Sequence, residues 1–349
     1  MLTPPALSTE TIIACLRDQY GQRIRGVAFL PIGADAAAAV YRVEAEDGVP
    51  YFLKLKRSGF DEIAVAVPAY LRAQGIAQVM AALPTTTQTL WAQAHGFTWI
   101  LYPFFEGANG FRSPLSDEQW IMLGRSLRAV HGATLPPDLA ARVPREDYSP
   151  RWRDFVLTLD CQVEAGAFDI ADADPLAQRF AAFWRIRRDE IRTLVERATQ
   201  LARVLRSRDA AHDEFVLCHT DLHAGNVLLS ASDELELAIV DWDAPIFAPR
   251  ERDLMFIGAG IGAIWNEPRE QTLFYQGYGP IVIDPVALSY YRYERIVEDF
   301  AAYGEQLFEA QGSEEDREHG LEGVIGQFLP GRVIPIAHQT YEQLDSGAR

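Results

Sequence analysis

Two short segments of the chain carry the side chains best suited to chemistry. Residues 219–226 read HTDLHAGN, and residues 241–243 read DWD. An apolar run that is typical of a buried strand precedes each segment, over residues 215–218 and 237–240. The two segments therefore place carboxylates, imidazoles and an amide just beyond the ends of two strands.

The types and spacing of these side chains suit phosphoryl transfer. That reaction needs an acceptor hydroxyl in line with the transferred phosphate and a divalent metal that neutralises the phosphates. Asp221 can accept the hydroxyl proton, while Asn226, five residues later, and Asp241 offer the hard oxygen ligands that Mg²⁺ prefers. The pattern predicts Asp221 as the base and the other two residues as magnesium ligands.

Other interpretations of the same residues are simpler. His219 and His223 with Asp221 could form a transition-metal site, although no fourth ligand is evident. Asp241 alone could cap a helix or occupy a turn. The joint pattern is more specific than any one member, and it favours phosphoryl transfer.

Composition restricts the substrate and the partners. The chain has 349 residues, 48% of them hydrophobic, which is enough for two domains or lobes. Its 32 basic and 49 acidic residues give a net charge of −17, which repels nucleic acids and anionic membranes and attracts cations. Solubility alone also explains such a charge.

Cysteine usage and hydropathy indicate the compartment. The three cysteines, Cys15, Cys161 and Cys218, are widely spaced and show no CxxC motif, which fits a reducing environment. No signal peptide is visible, and no apolar run approaches the roughly 20 residues of a membrane span. We expect a cytoplasmic protein that is a monomer or a weak dimer.

The order of elements predicts an α+β fold. The first hundred residues indicate a small antiparallel sheet with one or two helices, and the rest is mostly helical with an embedded hairpin. Predicted strands cover residues 27–32, 39–44, 51–56, 88–93, 97–102, 215–218 and 237–240, and predicted helices cover 9–20, 61–74, 116–131 and 176–206. Ser116 and Gln119 have the spacing of a capping box.

Residues 219–226 resemble the catalytic loop of the aminoglycoside phosphotransferase and choline kinase superfamily, which is related to protein kinases. Residues 241–243 resemble its metal-binding segment. The resemblance implies the same base and metal ligands as above, and it implies structural roles for His219 and Gly225. It also implies that Asp253 braces the catalytic loop.

Further segments are most similar to the spectinomycin phosphotransferase branch. They include residues 30–35, 102–104 and 248–258, and the matches run from about residue 27 to 265. The resemblance implies a bilobal, protein-kinase-like fold. It predicts an N-terminal nucleotide-binding lobe over 1–102, a hinge over 103–110, and a C-terminal catalytic and substrate-binding lobe over 111–349.

The resemblance also implies a nucleotide site for ATP, with GTP as an alternative. Lys54 and Lys56 share one face of a strand, and the likeness of residues 51–54 to the family's lysine strand selects Lys54 for the phosphates. Lys56 is then a solvated or rim charge. The other nucleotide-binding predictions are Glu62 as the lysine's partner, Gly33, Ala34 and Asp35 in the phosphate-covering loop, and Tyr102 and Phe104 in the adenine connector. Pro68 leaves the Glu62 pairing open, because the helix proper could begin there.

A cationic aminocyclitol would need carboxylates for its ammonium groups and aromatic faces for its rings. The candidates are Asp243, Trp265, Tyr291, Glu294 and Glu298. We therefore predict a kinase that uses ATP and Mg²⁺ on spectinomycin or a related antibiotic. The alternatives are a metabolic kinase of choline or an amino sugar, and a non-catalytic nucleotide-binding module.

Overall fold

The computed structural model describes residues 4–32, 37–169, 174–208, 215–230, 236–308 and 313–347. The chain forms two compact units, each assembled from separate segments. Unit 1 comprises Met1–Pro144, His219–Ile246 and Gln276–Tyr278. Unit 2 comprises Arg145–Cys218, Phe247–Tyr275 and Gly279–Arg349. The lobe boundaries expected at residues 102 and 110 stay a prediction.

Unit 1 is built on a five-stranded antiparallel sheet with the order β1-β2-β3-β5-β4. Its strands are β1 (Ile24–Leu30), β2 (Ala38–Ala45), β3 (Pro50–Lys56), β4 (Ala92–Ala94) and β5 (Phe97–Pro103). Helix α1 (Thr9–Tyr20) buries Ile12 and Leu16 in one apolar cluster with residues of the sheet. Helix α2 (Ile63–Ala73) follows β3.

Local sequence explains where these elements begin and turn. Ser8 caps α1, because its hydroxyl accepts a hydrogen bond from the backbone N–H of Thr11. The turn between β2 and β3 contains Gly48 at φ 88°, a conformation that glycine adopts without steric cost. The predicted capping box is confirmed at α3 (Asp117–His131), where Ser116 and Gln119 each bond the other's backbone N–H.

A second sheet of unit 1 holds the segments that carry the chemistry. It has the order β6-β8-β9, with β6 (Gly107–Asn109), β8 (Val227–Ser230) and β9 (Leu237–Ile239), and it is antiparallel throughout. A single 3₁₀ turn (Ala224–Asn226) leads directly into β8. The short helix α4 (Pro137–Ala140) follows α3.

Unit 2 is mainly helical, and the long helix α9 (Pro285–Phe308) packs against most of its other helices. The remaining elements lie wholly or mostly in this unit. They are α5 (Arg151–Glu164), α6 (Pro175–Ser207), β7 (Val216–Cys218), β10 (Ile246–Ala248), α7 (Glu251–Leu254), a 3₁₀ turn (Ile261–Ala263), α8 (Pro268–Tyr278), α10 (Glu314–Gly326) and α11 (Val333–Gly347). Strand β7 pairs with β10. The aromatic side chains of Tyr290, Tyr291 and Phe300 on α9 are fully buried.

The α+β prediction, with a small antiparallel sheet followed by helices, is confirmed. The prediction that residues 215–218 and 237–240 form a hairpin is wrong. Strand β7 pairs with β10, whereas β9 pairs with β8, so the two predicted strands belong to different sheets. These strands have three or four residues each, which is too short for an alternating pattern to reveal the pairing. The first strand of the 88–102 hairpin is likewise shorter than predicted and begins at Ala92.

Candidate active site

Asn226 and Asp241 are brought together by the pairing of β8 with β9. Asn226 ends the 3₁₀ turn before β8, and Asp241 lies two residues after β9. Val227 is opposite Ile239 in the register, and the N–H of Val240 donates to the carbonyl of Asn226 at 3.0 Å. The two residues predicted to bind metal are therefore adjacent.

Asp221 joins them through the side chain of Asn226. The amide Nδ2 donates to the backbone carbonyl of Asp221 at 2.9 Å and to its carboxylate Oδ2 at 3.1 Å. These bonds fix the loop and turn the Asn226 amide oxygen to the side opposite Asp221. The Asp221 side chain stays about one-third exposed, at 34%, so a substrate hydroxyl can reach it.

His219 is buried beneath this loop, and both of its ring nitrogens are hydrogen-bonded. Nδ1 accepts from the backbone N–H of Asp221 at 3.2 Å, and Nε2 lies 2.9 Å from the carbonyl of Val240, to which it donates. The ring meets the edge of Trp242 at a centroid distance of 4.5 Å. Because both ring nitrogens already have hydrogen-bond partners, these contacts speak against a transition-metal site, and the structural role of His219 stays a prediction.

Two residues beside the site have left-handed backbone conformations. Thr220 has φ 79° and Asp241 has φ 65°. For Thr220, a β-branched residue, this conformation costs about 1–3 kcal/mol and persists only where the surrounding structure enforces it. The Thr220 hydroxyl donates to the carbonyl of Ala244 at 3.1 Å, which helps to hold the turn. The position of Asp221 thus depends on strained backbone at the neighbouring Thr220.

The two lysines of β3 bind the carboxylates of the DWD segment. Lys54 Nζ lies 2.8 Å from Asp241 Oδ1 and 3.0 Å from Asp243 Oδ1, and Lys56 Nζ lies 2.7 Å from Asp243 Oδ2. The prediction that both lysines share one strand face is confirmed. Lys56 is not a solvated charge, since the whole residue is only 6% exposed.

Charge pairing determines the protonation of this cluster. Burial disfavours the charged form of Lys54, but Asp241 and Asp243 outweigh it and raise the pKa of the ammonium above its usual range. Burial alone would raise the pKa of the Asp243 carboxyl, and Lys54 and Lys56 instead lower it. Lys54 and Asp243 are therefore charged at neutral pH.

Glu62 lies apart from this cluster. Its carboxylate pairs with Arg142 at 2.9 Å, whereas Lys54 pairs with Asp241 and Asp243. Helix α2 begins at Ile63, directly after Glu62, and Pro68 lies inside the helix and not at its start. Lys54 therefore pairs with two aspartates that are distant in sequence, and not with Glu62.

The other residues predicted for nucleotide binding are only partly described. Gly33, Ala34 and Asp35 lie outside the described residues. Tyr102 is in β5 with its ring 6.4 Å from that of Phe52, and Phe104 stacks beneath the guanidinium of Arg42 at 4.7 Å. The connector continues into β6, so part of the predicted hinge is a paired strand.

The residues predicted to bind the acceptor fall into two groups. Asp243 belongs to the lysine cluster of unit 1, while the others lie in unit 2. There, Trp265, Tyr291 and Glu294 are at most 5% exposed, which speaks against direct contact with a substrate, and Glu298 is partly exposed and lies 3.5 Å from Arg252. Asp253 is fully buried on α7, and its bracing role stays a prediction.

Glu294 makes the stability of unit 2 depend on pH. Its Oε2 has no hydrogen-bond partner among the described residues and lies 3.5 Å from Arg153 Nε. Burial raises the pKa of this carboxyl from 4.5 to about 7, against the opposing charges of Arg153 and Arg252. A raised carboxyl pKa means that the folded chain holds its proton more tightly, so stability falls as pH rises from 4.5 through about 7.

Glu294→Gln should remove a penalty on the order of 3 kcal/mol above pH 7, since each pKa unit corresponds to about 1.4 kcal/mol. Arg153 keeps backbone acceptors at Ala198, Tyr148 and Ser149 in the variant. We expect the variant to gain stability over wild type at pH 8 and to gain little at pH 5, as measured by urea unfolding. The exposed Glu315→Gln is the control. An equal effect of Glu294→Gln at both pH values would contradict the interpretation.

The donor set fits a hard divalent cation such as Mg²⁺. Asn226 offers an amide oxygen and Asp241 a carboxylate that is 44% exposed, and both are oxygen ligands. Asp243 could assist, but its two oxygens each bind a lysine. Sequence reasoning missed this Lys56–Asp243 pair, although the period of two along β3 was a usable signal.

The fold is typical of a kinase-like phosphotransferase. Its small antiparallel sheet carries Lys54, Asn226 bonds Asp221, and Asp241 follows the next strand. A model of the phosphotransferase enzyme family matches residues 28–291. The chain belongs to this family, and it is an enzyme of the small-molecule kinase class. The family predicted from the sequence is thereby confirmed.

Solved structures and a curated relative agree with this assignment. Spectinomycin phosphotransferase APH(9)-Ia, in complex with ADP and spectinomycin, is 37% identical, with a TM-score of 0.88 over 97% of this chain and 99% of that chain. Its AMP-bound complex is 36% identical, with a TM-score of 0.84 over 95% and 98%. Protein StrN of Streptomyces griseus is 27% identical over 267 residues, which are 74% of this chain and 78% of that protein. Within the described ranges, no helix combines the length and apolarity needed to cross a membrane.

Proposed function

We propose that this enzyme transfers the γ-phosphoryl group of ATP, with Mg²⁺, directly to a hydroxyl of a small cationic aminocyclitol, with spectinomycin as the preferred acceptor. The observation that supports the chemistry is the arrangement of Asp221, Asn226, Asp241 and Lys54 in unit 1. The bond from the acceptor oxygen to phosphorus forms as the bond to the ADP oxygen breaks, and no phosphoenzyme is formed.

Each residue has a defined part in this scheme. Asp221 accepts the proton of the attacking hydroxyl, and Asn226 orients its carboxylate through Nδ2. Lys54, whose side chain is 13% exposed, donates from its ammonium to the nucleotide phosphates. Asn226 Oδ1 and the Asp241 carboxylate would hold the metal, which would neutralise phosphate charge when bound.

Similarity over the full length supports the choice of acceptor. The chain is 37% identical to a spectinomycin phosphotransferase over 97% of its own length and 99% of the other chain. The net charge of −17 favours the approach of a cationic substrate. The proposal includes a role in antibiotic resistance. Cells that express the chain should then tolerate more spectinomycin than cells that do not.

A coupled assay of ADP release tests the proposal with the purified chain, ATP and MgCl₂. We expect spectinomycin to raise ADP release well above the acceptor-free rate, with phosphospectinomycin detected by mass spectrometry. Choline, ethanolamine and an amino sugar serve as parallel acceptors. Turnover with one of these and none with spectinomycin would identify a metabolic kinase, and ATP binding without turnover on any acceptor would contradict an enzymatic role.

A further inference from the structure

His223 lies in the catalytic loop, and the proposed chemistry has not assigned it a part. Its Nδ1 accepts a hydrogen bond from the backbone N–H of Gly225 at 2.9 Å, which caps the 3₁₀ turn. On its other side the ring meets Phe111, with 5.6 Å between centroids and 32° between planes. The imidazole is therefore held in one place by the backbone and by an aromatic ring.

The bond from Gly225 also selects the tautomer of His223. A neutral imidazole carries one proton, and a nitrogen that accepts a hydrogen bond does not carry it. The proton is therefore on Nε2, which lies 3.4 Å from Oδ2 of Asp221. Asn226 Nδ2 donates to this same oxygen at 3.1 Å. Two N–H groups thus converge on one oxygen of the carboxylate.

The imidazole of His223 leaves no space for a side chain at position 225. A Cβ atom at Gly225 would lie 2.6 Å from His223 Cε1, 2.9 Å from Nδ1 and 3.0 Å from a ring carbon of Phe111. Side-chain carbons do not approach these atoms so closely, so any larger residue at 225 would displace the imidazole. The glycine, which the family resemblance treats as structural, is what allows the Nε2–H group to face Asp221.

We propose that His223 is a positioning residue for Asp221. Its Nε2–H and the amide of Asn226 hold Oδ2 from one side and fix the rotation of the carboxylate, so that Oδ1 is directed to the acceptor hydroxyl. This inference rests on the proposed role of Asp221 as base. Its effect is on the geometry of proton transfer, where misplacement of a catalytic group by about 1 Å costs on the order of 100-fold in rate.

Two substitutions separate positioning from folding. His223→Asn keeps an acceptor near the position of Nδ1, and so the cap, but cannot reach Asp221. His223→Gln keeps an N–H donor near the position of Nε2 and loses the cap. We expect His223→Asn to lower kcat about 10- to 100-fold with an unchanged KM for ATP and an unchanged Tm. His223→Gln should lower Tm yet retain kcat within a few-fold of wild type.

The control is His95→Asn, at an exposed turn residue with φ 53°, a conformation that asparagine tolerates. If kcat follows Tm across the variants, or if His223→Asn matches wild type, the positioning role is overturned. These assays use whichever acceptor the wild-type enzyme phosphorylates.

A second measurement does not depend on turnover. Long-range ¹⁵N–¹H spectra of histidine-labelled enzyme at pH 8.5, where ordinary imidazoles are neutral, report which nitrogen carries the proton. We expect His223 to be protonated at Nε2, and protonation at Nδ1 would overturn the inference. A wild-type chain that is inactive on every acceptor would contradict the proposed function while this spectrum still tests the geometry.

Discussion

Asp221→Asn should lower kcat by about 10²- to 10⁴-fold, the range that a positioned general base contributes. Asparagine has the shape of aspartate and can still accept the bond from Asn226 Nδ2, so the loop keeps its conformation. The variant cannot take up the hydroxyl proton. Because a proton acceptor acts mainly in the transition state, the KM for the acceptor and the Kd for ATP should change little.

Steady-state kinetics with both substrates varied, together with calorimetric titration of ATP in the presence of Mg²⁺, will measure these quantities. Asp138→Asn is the control, because Asp138 is an exposed carboxylate on the short helix α4. Near-normal turnover of Asp221→Asn would mean that another group takes the proton. A large loss of ATP affinity would show that Asp221 contributes to nucleotide binding.

Asp241→Asn should abolish most of the Mg²⁺ dependence of ATP binding. The variant keeps an oxygen but loses the negative charge that attracts the metal. We expect the affinity for Mg²⁺ to fall at least ten- to 100-fold, because mutation of the outer-shell partners of metal ligands already has an effect of this size. Asparagine is the substitution of choice because Asp241 has φ 65°, and asparagine adopts this conformation readily. The substitution should therefore add no backbone strain at this position.

Calorimetric titration of ATP with and without MgCl₂ tests this expectation. Wild type should bind ATP more tightly with the metal, while Asp241→Asn should bind with similar weak affinity in both conditions. Lys54→Met is the matched comparison, because it removes the other half of the Lys54–Asp241 pair and should weaken ATP binding in both conditions. Unchanged metal dependence in Asp241→Asn would assign the metal to other ligands.

Local sequence predicted the parts of the site that depend on short spacings. The six residues from Asp221 to Asn226 form one closed loop with a direct side-chain bond, as their types suggested. The period of two along β3 placed Lys54 and Lys56 on one face. Capping signals likewise predicted the start of α3.

Contacts between distant segments were not predictable in the same way. Lys54 and Asp241 are 187 residues apart, and nothing in either segment identifies the other as its partner. Glu62 is the only nearby candidate for the helix glutamate that the family resemblance implies, yet its carboxylate pairs with Arg142. The sequence indicates His223 only as a possible metal ligand, because the tautomer that points Nε2 toward Asp221 depends on a backbone N–H two residues later.

The bond between Lys54 and Asp241 has a thermodynamic consequence for the proposed enzyme. Lys54 is assigned to the phosphates and Asp241 to the metal. A ligand that binds either residue would therefore break the ion pair between them. In the proposed scheme, a nucleotide that engages Lys54 would free the Asp241 carboxylate for the cation. A cation that engages Asp241 would remove one of the two aspartates that hold the ammonium and leave it paired with Asp243. Each ligand would therefore raise the affinity for the other by the same factor.

Two lysines facing two aspartates also leave this cluster electrically neutral in a protein of charge −17. The cluster should discriminate against bare divalent ions and admit them together with the triphosphate.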